Sequence, residues 1–297
     1  MKVSGFTFVR NAVKYDYPVV EGIKSILPIC DEFIVAVGNS EDDSVGLIRS
    51  IGSPKIKIIE TVWDDSLREG GKVLAVETNK AFDAIAPDSD WAFYIQADEC
   101  FHENDLPKIK AAMEKWKEDK RVEGLVFNHI NFYGTFDYYA DSRKWNKKEV
   151  RVVRNDKDIR SWKDAMSFRK TCPERSRRDG EKLKVKFVDA LIHHYGWVKS
   201  PLTQQKKRES FHKLWHDDAY VEKNVVAPEF DYSKIDSLAK FKGSHPKVMH
   251  ERIKEQNWKF EFDKTKAMRP SLRLRILNSI YQNTGIHIGE FKNYKRI

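Results

Sequence analysis

The chain has 297 residues, 40% of them hydrophobic and 12% aromatic, enough for a sizeable core and for one α/β enzyme domain with additions. A net charge of +9 points to anionic partners: nucleic acid, a phosphorylated substrate or a membrane face. No run is long and apolar enough to span a bilayer, and MKVSGFTFVRN reads as a first strand, not a signal peptide.

The predicted elements alternate from the start. FTFVRN is a short buried strand. Asp16 offers an N-cap, Pro18 suits a first helical turn, and Val20, Ile23 and Leu27 form a helical stripe. EFIVAVGNS is a second strand, SVGLIRSIG a short helix stopped by Gly52, and KIKIIETVW a third strand. In GKVLAVETNKAFDAIA, Leu74, Ala81, Phe82 and Ile85 have helical spacing. DWAFYIQAD is a fourth strand, and Asn104 or Asp105 can cap a helix whose face is Ile109, Met113 and Trp116.

Such alternation predicts a parallel sheet wrapped by helices, with ligands at the carboxyl ends of the strands. Those ends are Arg10-Asn11, Gly38-Asn39-Ser40, Trp63-Asp64-Asp65 and Gln96-Ala97-Asp98. The second half is less regular. VEGLVFNHINFYG, EVRVVRND and LKVKFVDALIHHYGWV read as strands; residues 169–182 read as an exposed basic loop. Helices are predicted from Ser200-Pro201, over HPKVMHERIKEQ and over SLRLRILNSIYQNTG.

Charge is concentrated in two places. From Arg169 to Lys186 there are eight Lys/Arg against three Asp/Glu, and from Lys264 to Arg275 five basic residues and no acidic one. Each fits a solvated face as well as an anion-binding one. The last helix mixes Leu272, Leu274, Ile276, Leu277 and Ile280 with Arg273 and Arg275, so it suits either docking on the core or an anionic membrane face. The cysteines Cys30, Cys100 and Cys172 show no metal spacing, which fits a reduced, cytoplasmic setting, possible membrane contact being on its inner face.

The stretch Gln96-Ala97-Asp98-Glu99 carries the sharpest chemical signal. A carboxylate at a strand end can hold Mg²⁺ or Mn²⁺ between two phosphates, although Asp-Glu after a strand also suits a plain turn. Strand alternation lets only one of His193 and His194 face a site there. Arg151 and Arg154 alternate with valines and can form a phosphate clamp or face solvent. Arg68 and Lys72 precede the third helix, where a phosphate would meet its N-terminus. His212 and His216 have zinc-like spacing, but Lys213 replaces a metalloprotease glutamate and no third ligand is evident.

Four segments in order carry a resemblance: FVRNAVKYDYPVVEGIKSILPICDEFIVAVGNSEDDS, YIQADE, VRVVRNDKDIRSWKDAMSFR and LIHHYGWVKSP. Together they resemble the family 2 glycosyltransferases of GT-A fold, bacterial enzymes that build lipopolysaccharide or surface polysaccharide. The likeness spans residues 3–200 and thins beyond. It implies an α/β fold of Rossmann-like type, with a mostly parallel central sheet flanked by helices and a mixed β and helical C-terminal extension. Residues 1–200 would form the nucleotide-sugar-binding and catalytic domain, and 201–297 a helical extension facing acceptor or membrane. The activity implied is transfer of a sugar, with inversion, from a nucleotide-diphosphate donor to a saccharide or lipid-linked acceptor.

By this resemblance the donor contacts are Arg10, Asn11, Asn39, Ser40, Asp42, Asp65, Arg68, Lys72, Gln96, Ala97 and Asp98. Asp98 and His194 are the expected ligands of Mg²⁺ or Mn²⁺, and Asp164 is the expected general base, with Asp141 as runner-up. Trp162 is placed to stack on a sugar. Two departures stand out: the family's aspartates are replaced by Val37 and Gln96. Asn39 would then make the base contact, Gln96 would bond a ribose hydroxyl or a phosphate-bound water, and Asp98 would hold the metal nearly alone, so that metal dependence is expected to be weak.

Two other readings compete. A sugar-nucleotide nucleotidyltransferase would carry a Gly-rich basic loop after the first strand, where this chain has RNAVKYDYP. A non-catalytic carbohydrate-binding module would explain the charge and the aromatics but predicts no donor turnover. Nucleic acid is disfavoured because the basic runs lack interleaved aromatics.

Overall fold

The computed structural model describes residues 1–68, 70–171, 180–286, 288–289 and 291–297. The alternating first third forms β1 (Val3–Val9), α1 (Val19–Ile26), β2 (Glu32–Gly38), α2 (Ser44–Arg49), β3 (Ile56–Thr61), α3 (Lys72–Asp83) and β4 (Trp91–Tyr94). Strands β1, β2 and β4 are buried almost throughout, as continuous apolar runs covered on both faces must be. They pair in parallel in the order β4-β1-β2-β3, so the chain crosses from one side of β1 to the other between β3 and β4. A ligand crevice belongs at such a crossing point.

The chain continues through β5 (Glu99–Phe101), α4 (Leu106–Trp116), β6 (Gly124–Tyr133), β7 (Thr135–Ala140), β8 (Lys148–Arg154), β9 (Ile159–Trp162), β10 (Ser167–Lys170), β11 (Glu181–Lys182) and β12 (Lys184–Trp197). It ends with α5 (Pro201–His212), α6 (Asp218–Asn224), β13 (Leu238–Lys240), α7 (His250–Lys254), α8 (Leu272–Thr284) and β14 (Lys295–Arg296). Antiparallel β8, β6, β7 and β13 extend the sheet beyond β4, and β12 lies parallel along β6. The architecture is therefore α/β, a mixed central sheet flanked by helices, whose parallel half carries the crossing point. The segment after residue 200 is not only helical, since β13 and β14 join the same sheet.

The hydrophobic core lies on both faces of the sheet. One cluster joins α1 and α4 to the strands through Ile23, Ile26, Phe93, Phe101, Ile109 and Phe127. The other packs Phe6, Phe82, Tyr94 and Phe168 under α3. Gly22 of α1 is held against β5 so closely that an added Cβ would sit 2.7 Å from the Glu99 carbonyl oxygen.

Several local expectations are corrected. Asp16 does not cap α1; its backbone is left-handed (φ 49°) and its carboxylate pairs with Arg252. A 3₁₀ turn precedes α4 and is capped by His102, whose ring Nδ1 accepts the Asn104 N–H; Asp105 is the N-cap position of α4 but its side chain makes no cap bond. Of the expected basic loop, residues 172–179 lie outside the described residues, and its two flanks are β10 and β11. Arg151 and Arg154 are buried and neither is a free phosphate clamp. Arg154 lies over the Trp91 ring and donates to the carbonyls of Trp116, Lys117, Asp119 and Val122. No residue of α8 is fully buried: Leu272 is 69% and Ile276 54% exposed. No described helix is long and apolar enough to cross a membrane. Cys30 and Cys100 are buried free thiols.

Candidate functional site

A cleft of about 820 Å³ opens at the carboxyl ends of β1 and β4, a volume typical of a small-molecule site. Its floor is Arg10-Asn11 after β1 and Gln96-Ala97-Asp98 after β4; its walls are the Asp164 turn, the end of β12 and one face of α5. Among the described residues, four non-glycine residues have left-handed backbone: Asn11, Asp16, Lys163 and Ala165. All four lie in or beside cleft-lining positions, and such strain collects where the surroundings fix a functional geometry.

Three residues of the QADE turn have separate tasks. Gln96 turns sideways and donates to the Ala165 carbonyl at 3.3 Å, tying the end of β4 to the Asp164 turn. Glu99 points into the sheet, where the Arg151 guanidinium donates to both of its oxygens at 2.7 Å and His129 lies 3.3 Å away. Burial alone would raise the Glu99 carboxyl, but Arg151 and His129 hold it well below the ordinary glutamate range. Asp98 brings the carboxylate of the turn to the cleft. Its Oδ2 accepts from the Lys207 ammonium at 2.9 Å, and its Oδ1 lies 3.6 Å from His194 Nε2. Against the effect of burial, Lys207 and His194 keep it well below the usual carboxylate range.

The orientation of the His194 ring follows from its neighbours. Asn131 donates through Nδ2 to the Asn146 carbonyl at 3.1 Å, and a carbonyl can only accept. Asn131 Oδ1 therefore faces His194 and accepts its Nδ1–H at 2.9 Å. In the neutral ring the Nε2 lone pair then faces Asp98 Oδ1, so two electron-rich atoms look at each other across a gap that a positive charge would fill. Asp98 and His194 would be the residues to hold a divalent cation there, and the Asn131 bond is the kind that orients a metal-binding histidine. Gly196 keeps this space open: a Cβ there would lie 2.5 Å from His194 Nε2 and 2.7 Å from Asp98 Oδ2. Among the described residues no third His, Cys, Asp or Glu joins the pair, so a cation held here would take its remaining oxygens from substrate and water. His193 points the other way, is buried and stacks on Phe132, and burial pushes its pKa down to about 4.

Asp164 sits half-buried on the cleft wall between Lys163 (φ 53°) and Ala165 (φ 60°). Burial raises its carboxyl, the direction a general base needs. Gly71, the left-handed N-cap of α3, packs against it; a Cβ there would touch the Asp164 Cβ at 3.0 Å. Trp162 does not line the cleft and carries Lys163 and Arg169 over its ring, so it is not placed to stack on a sugar. Asp141 lines a separate groove with Tyr138 and Lys147.

The other sequence-derived donor contacts divide. Arg10, Asn11, Asp65 and Arg68 line the cleft. Arg10 pairs with Asp65 at 2.6 Å, and Arg68 reaches Asp218 at 2.8 Å. Asn39, Ser40, Asp42 and Lys72 do not line it. The first three stitch loops together: Asn39 Oδ1 accepts from Trp63 N–H, Ser40 Oγ from Asn11 N–H, and Asp42 from Lys14 N–H and Ser44 N–H. Lys72 is exposed at the start of α3. His212 and His216 stack on one another, with Tyr220 on His216 at 4.0 Å, and hold no metal arrangement among the described residues.

Sequence reasoning missed Lys207, Glu149, Asn131 and Asn146, all in the cleft lining. Lys207 stands in QQKKRES, which reads as a solvated run. One signal was available: the helix predicted from Ser200-Pro201 has no apolar stripe. In the fold its Gln204 and Gln205 are buried, as when a polar helix packs on a polar cleft. Glu149 is buried beside Arg151 and Asn146, and burial raises its carboxyl.

No family model matches this sequence, and no curated protein matches it. Among solved structures, TarS of S. aureus is similar at 14% identity and a TM-score of 0.36, over 71% of this chain and 39% of that one. TarS 1–349 in complex with UDP is similar at 12% identity and a TM-score of 0.35, over 75% and 69%. Glucosyl-3-phosphoglycerate synthase from Mycobacterium tuberculosis, in complex with Mn²⁺, UDP and phosphoglyceric acid, is similar at 16% identity and a TM-score of 0.29, over 44% and 43%. The chain spans about two fifths of TarS. These likenesses are distant, and the reading of the site rests on its own geometry.

Proposed function

We propose that this protein is a GT-A glycosyltransferase that moves a sugar, with inversion, from a nucleotide-diphosphate donor to a saccharide or lipid-linked acceptor. The observation that carries the reading is the convergence of Asp98, His194 and Lys207 at the strand crossing point, with the Asp164 carboxylate on the wall of the same cleft. The donor lies along the ends of β1 and β4. Arg10 and Arg68 face its anionic part, and Asp98 with His194 would hold Mg²⁺ or Mn²⁺, which would supply neutralisation of the departing diphosphate.

Asp164 takes the proton from the acceptor hydroxyl as that oxygen attacks the anomeric carbon and the bond to the diphosphate breaks. The left-handed residues on either side fix the direction of its carboxylate. Gln96, bonded to the Ala165 carbonyl, couples the donor floor to the base. α8, where Leu272 and Ile276 are exposed next to Arg273 and Arg275, borders the groove of Asp141 and not the cleft, and would meet the membrane end of a lipid-linked acceptor.

Release of nucleotide diphosphate from a panel of sugar nucleotides, with and without MnCl₂, tests the activity. Asp98→Asn keeps the shape and removes the charge; release is expected to fall by about 10²–10³-fold, as when one transition-state electrostatic contact is lost. Full activity in Asp98→Asn contradicts the site. NMR of the product reads the anomeric configuration, and retention contradicts Asp164 as a base for direct displacement.

A further inference from the structure

Lys207 is held more firmly than a surface lysine of a polar helix. Its ammonium donates to Asp98 Oδ2 at 2.9 Å and to the Gly196 carbonyl at 3.0 Å, and lies 4.8 Å from the centre of the Tyr17 ring. Its side chain is 14% exposed and lines the cleft. A carboxylate oxygen, a carbonyl oxygen and a ring face are what a protein offers a bound cation. An ammonium has three N–H groups; among the described residues the third has no hydrogen-bond acceptor.

Asp98 thus has one oxygen on Lys207 and the other towards His194. The lysine cancels the carboxylate charge that would draw a divalent ion to the His194 side, and brings a fixed positive charge to the same place.

We propose that Lys207 is a built-in cation of the donor site: its third N–H contacts the donor diphosphate, and its charge makes nucleotide binding largely independent of divalent metal. The inference rests on the donor-site reading above and deepens it. It assigns two positive groups to one carboxylate, a permanent one on Oδ2 and an exchangeable one on Oδ1. A phosphate oxygen in the cleft completes the hydrogen bonding of Lys207, whereas Lys207 and a divalent ion repel each other across Asp98.

The test is titration of UDP, GDP, CDP and dTDP into the full chain, in EDTA and in MnCl₂, for the wild type, Lys207→Met and Lys207→Arg. Methionine keeps length and helix preference and removes the charge; circular dichroism checks that it folds. The wild type is expected to bind at least one nucleotide in EDTA, with Mn²⁺ tightening binding by less than about tenfold, one charged contact being worth about that much. Lys207→Met should lose about tenfold or more in EDTA and regain it in MnCl₂, and Lys207→Arg should bind in EDTA. Wild-type binding seen only with Mn²⁺, or Lys207→Met binding like the wild type in EDTA, overturns the role of Lys207 and leaves the donor site standing. Binding of no nucleotide by the wild type under either condition overturns the donor-site reading and this inference with it.

Discussion

Asp164→Asn leaves nucleotide binding intact and lowers sugar transfer by about 10²–10⁴-fold, the contribution of a positioned general base. The substitution keeps the size of the side chain and the backbone of its turn but removes the site for the acceptor proton. Its carboxyl is raised by burial, which makes it a better base than an exposed aspartate. Nothing ties Asp164 to Asp98 directly; the link is Gln96, whose amide spans to the Ala165 carbonyl. The measurement is single-turnover transfer beside nucleotide titration. Survival of transfer would move the base to Glu149, the other buried cleft carboxyl raised by burial, and not to Asp141, which lines a different groove.

Arg151→Met costs about 3–5 kcal/mol of folding stability, because it leaves the Glu99 carboxylate buried without its charged partner. Both side chains are buried at or below 2% exposure, and the guanidinium covers both Glu99 oxygens. Replacing both members is milder than replacing one, since Glu99 is then no longer an isolated charge and only Glu149, 3.7 Å from the guanidinium, loses a partner; Glu99→Gln with Arg151→Met is expected to recover part of the loss. Urea unfolding of the single and double variants reads this directly. Equal losses in the two would mean that the cost is one of packing. The pair also matters for the site: Glu99 follows Asp98, its Oε2 accepts the Gln96 N–H at 3.1 Å, and the turn that aims Asp98 closes over this ion pair.

Much of the fold was legible because β2 and β4 are nearly unbroken apolar runs and β1 and β3 are rich in β-branched and aromatic residues, joined by segments of helical period. The position of the crevice followed from that alternation alone. The ends of the strands were harder. Asn39, Ser40 and Asp42 have the composition of ligand contacts, but short polar side chains also serve to bond nearby backbone N–H groups, and here they do so. Arg151 and Arg154 stand three apart among valines, and they leave the strand on opposite faces, Arg151 over the Tyr94 ring and Arg154 over the Trp91 ring. The sheet is covered on both faces, so alternation there separates two buried faces and not inside from outside. Lys207 was illegible for another reason: it meets Asp98 across 109 residues, and only the approach of α5 to the end of β4 creates the pair.

The most direct test of the account is a thermal-shift screen of the wild-type chain against sugar nucleotides and their nucleotide diphosphates. A ligand at about 100 times its dissociation constant stabilises the folded state by about 2.7 kcal/mol, a rise of several degrees for a domain of this size. With the screen run in EDTA and in MnCl₂, the account predicts such a rise for at least one nucleotide diphosphate and its sugar, and loss of the further rise given by MnCl₂ in Asp98→Asn. No shift with any of them, or an equal MnCl₂ increment in Asp98→Asn, would contradict it.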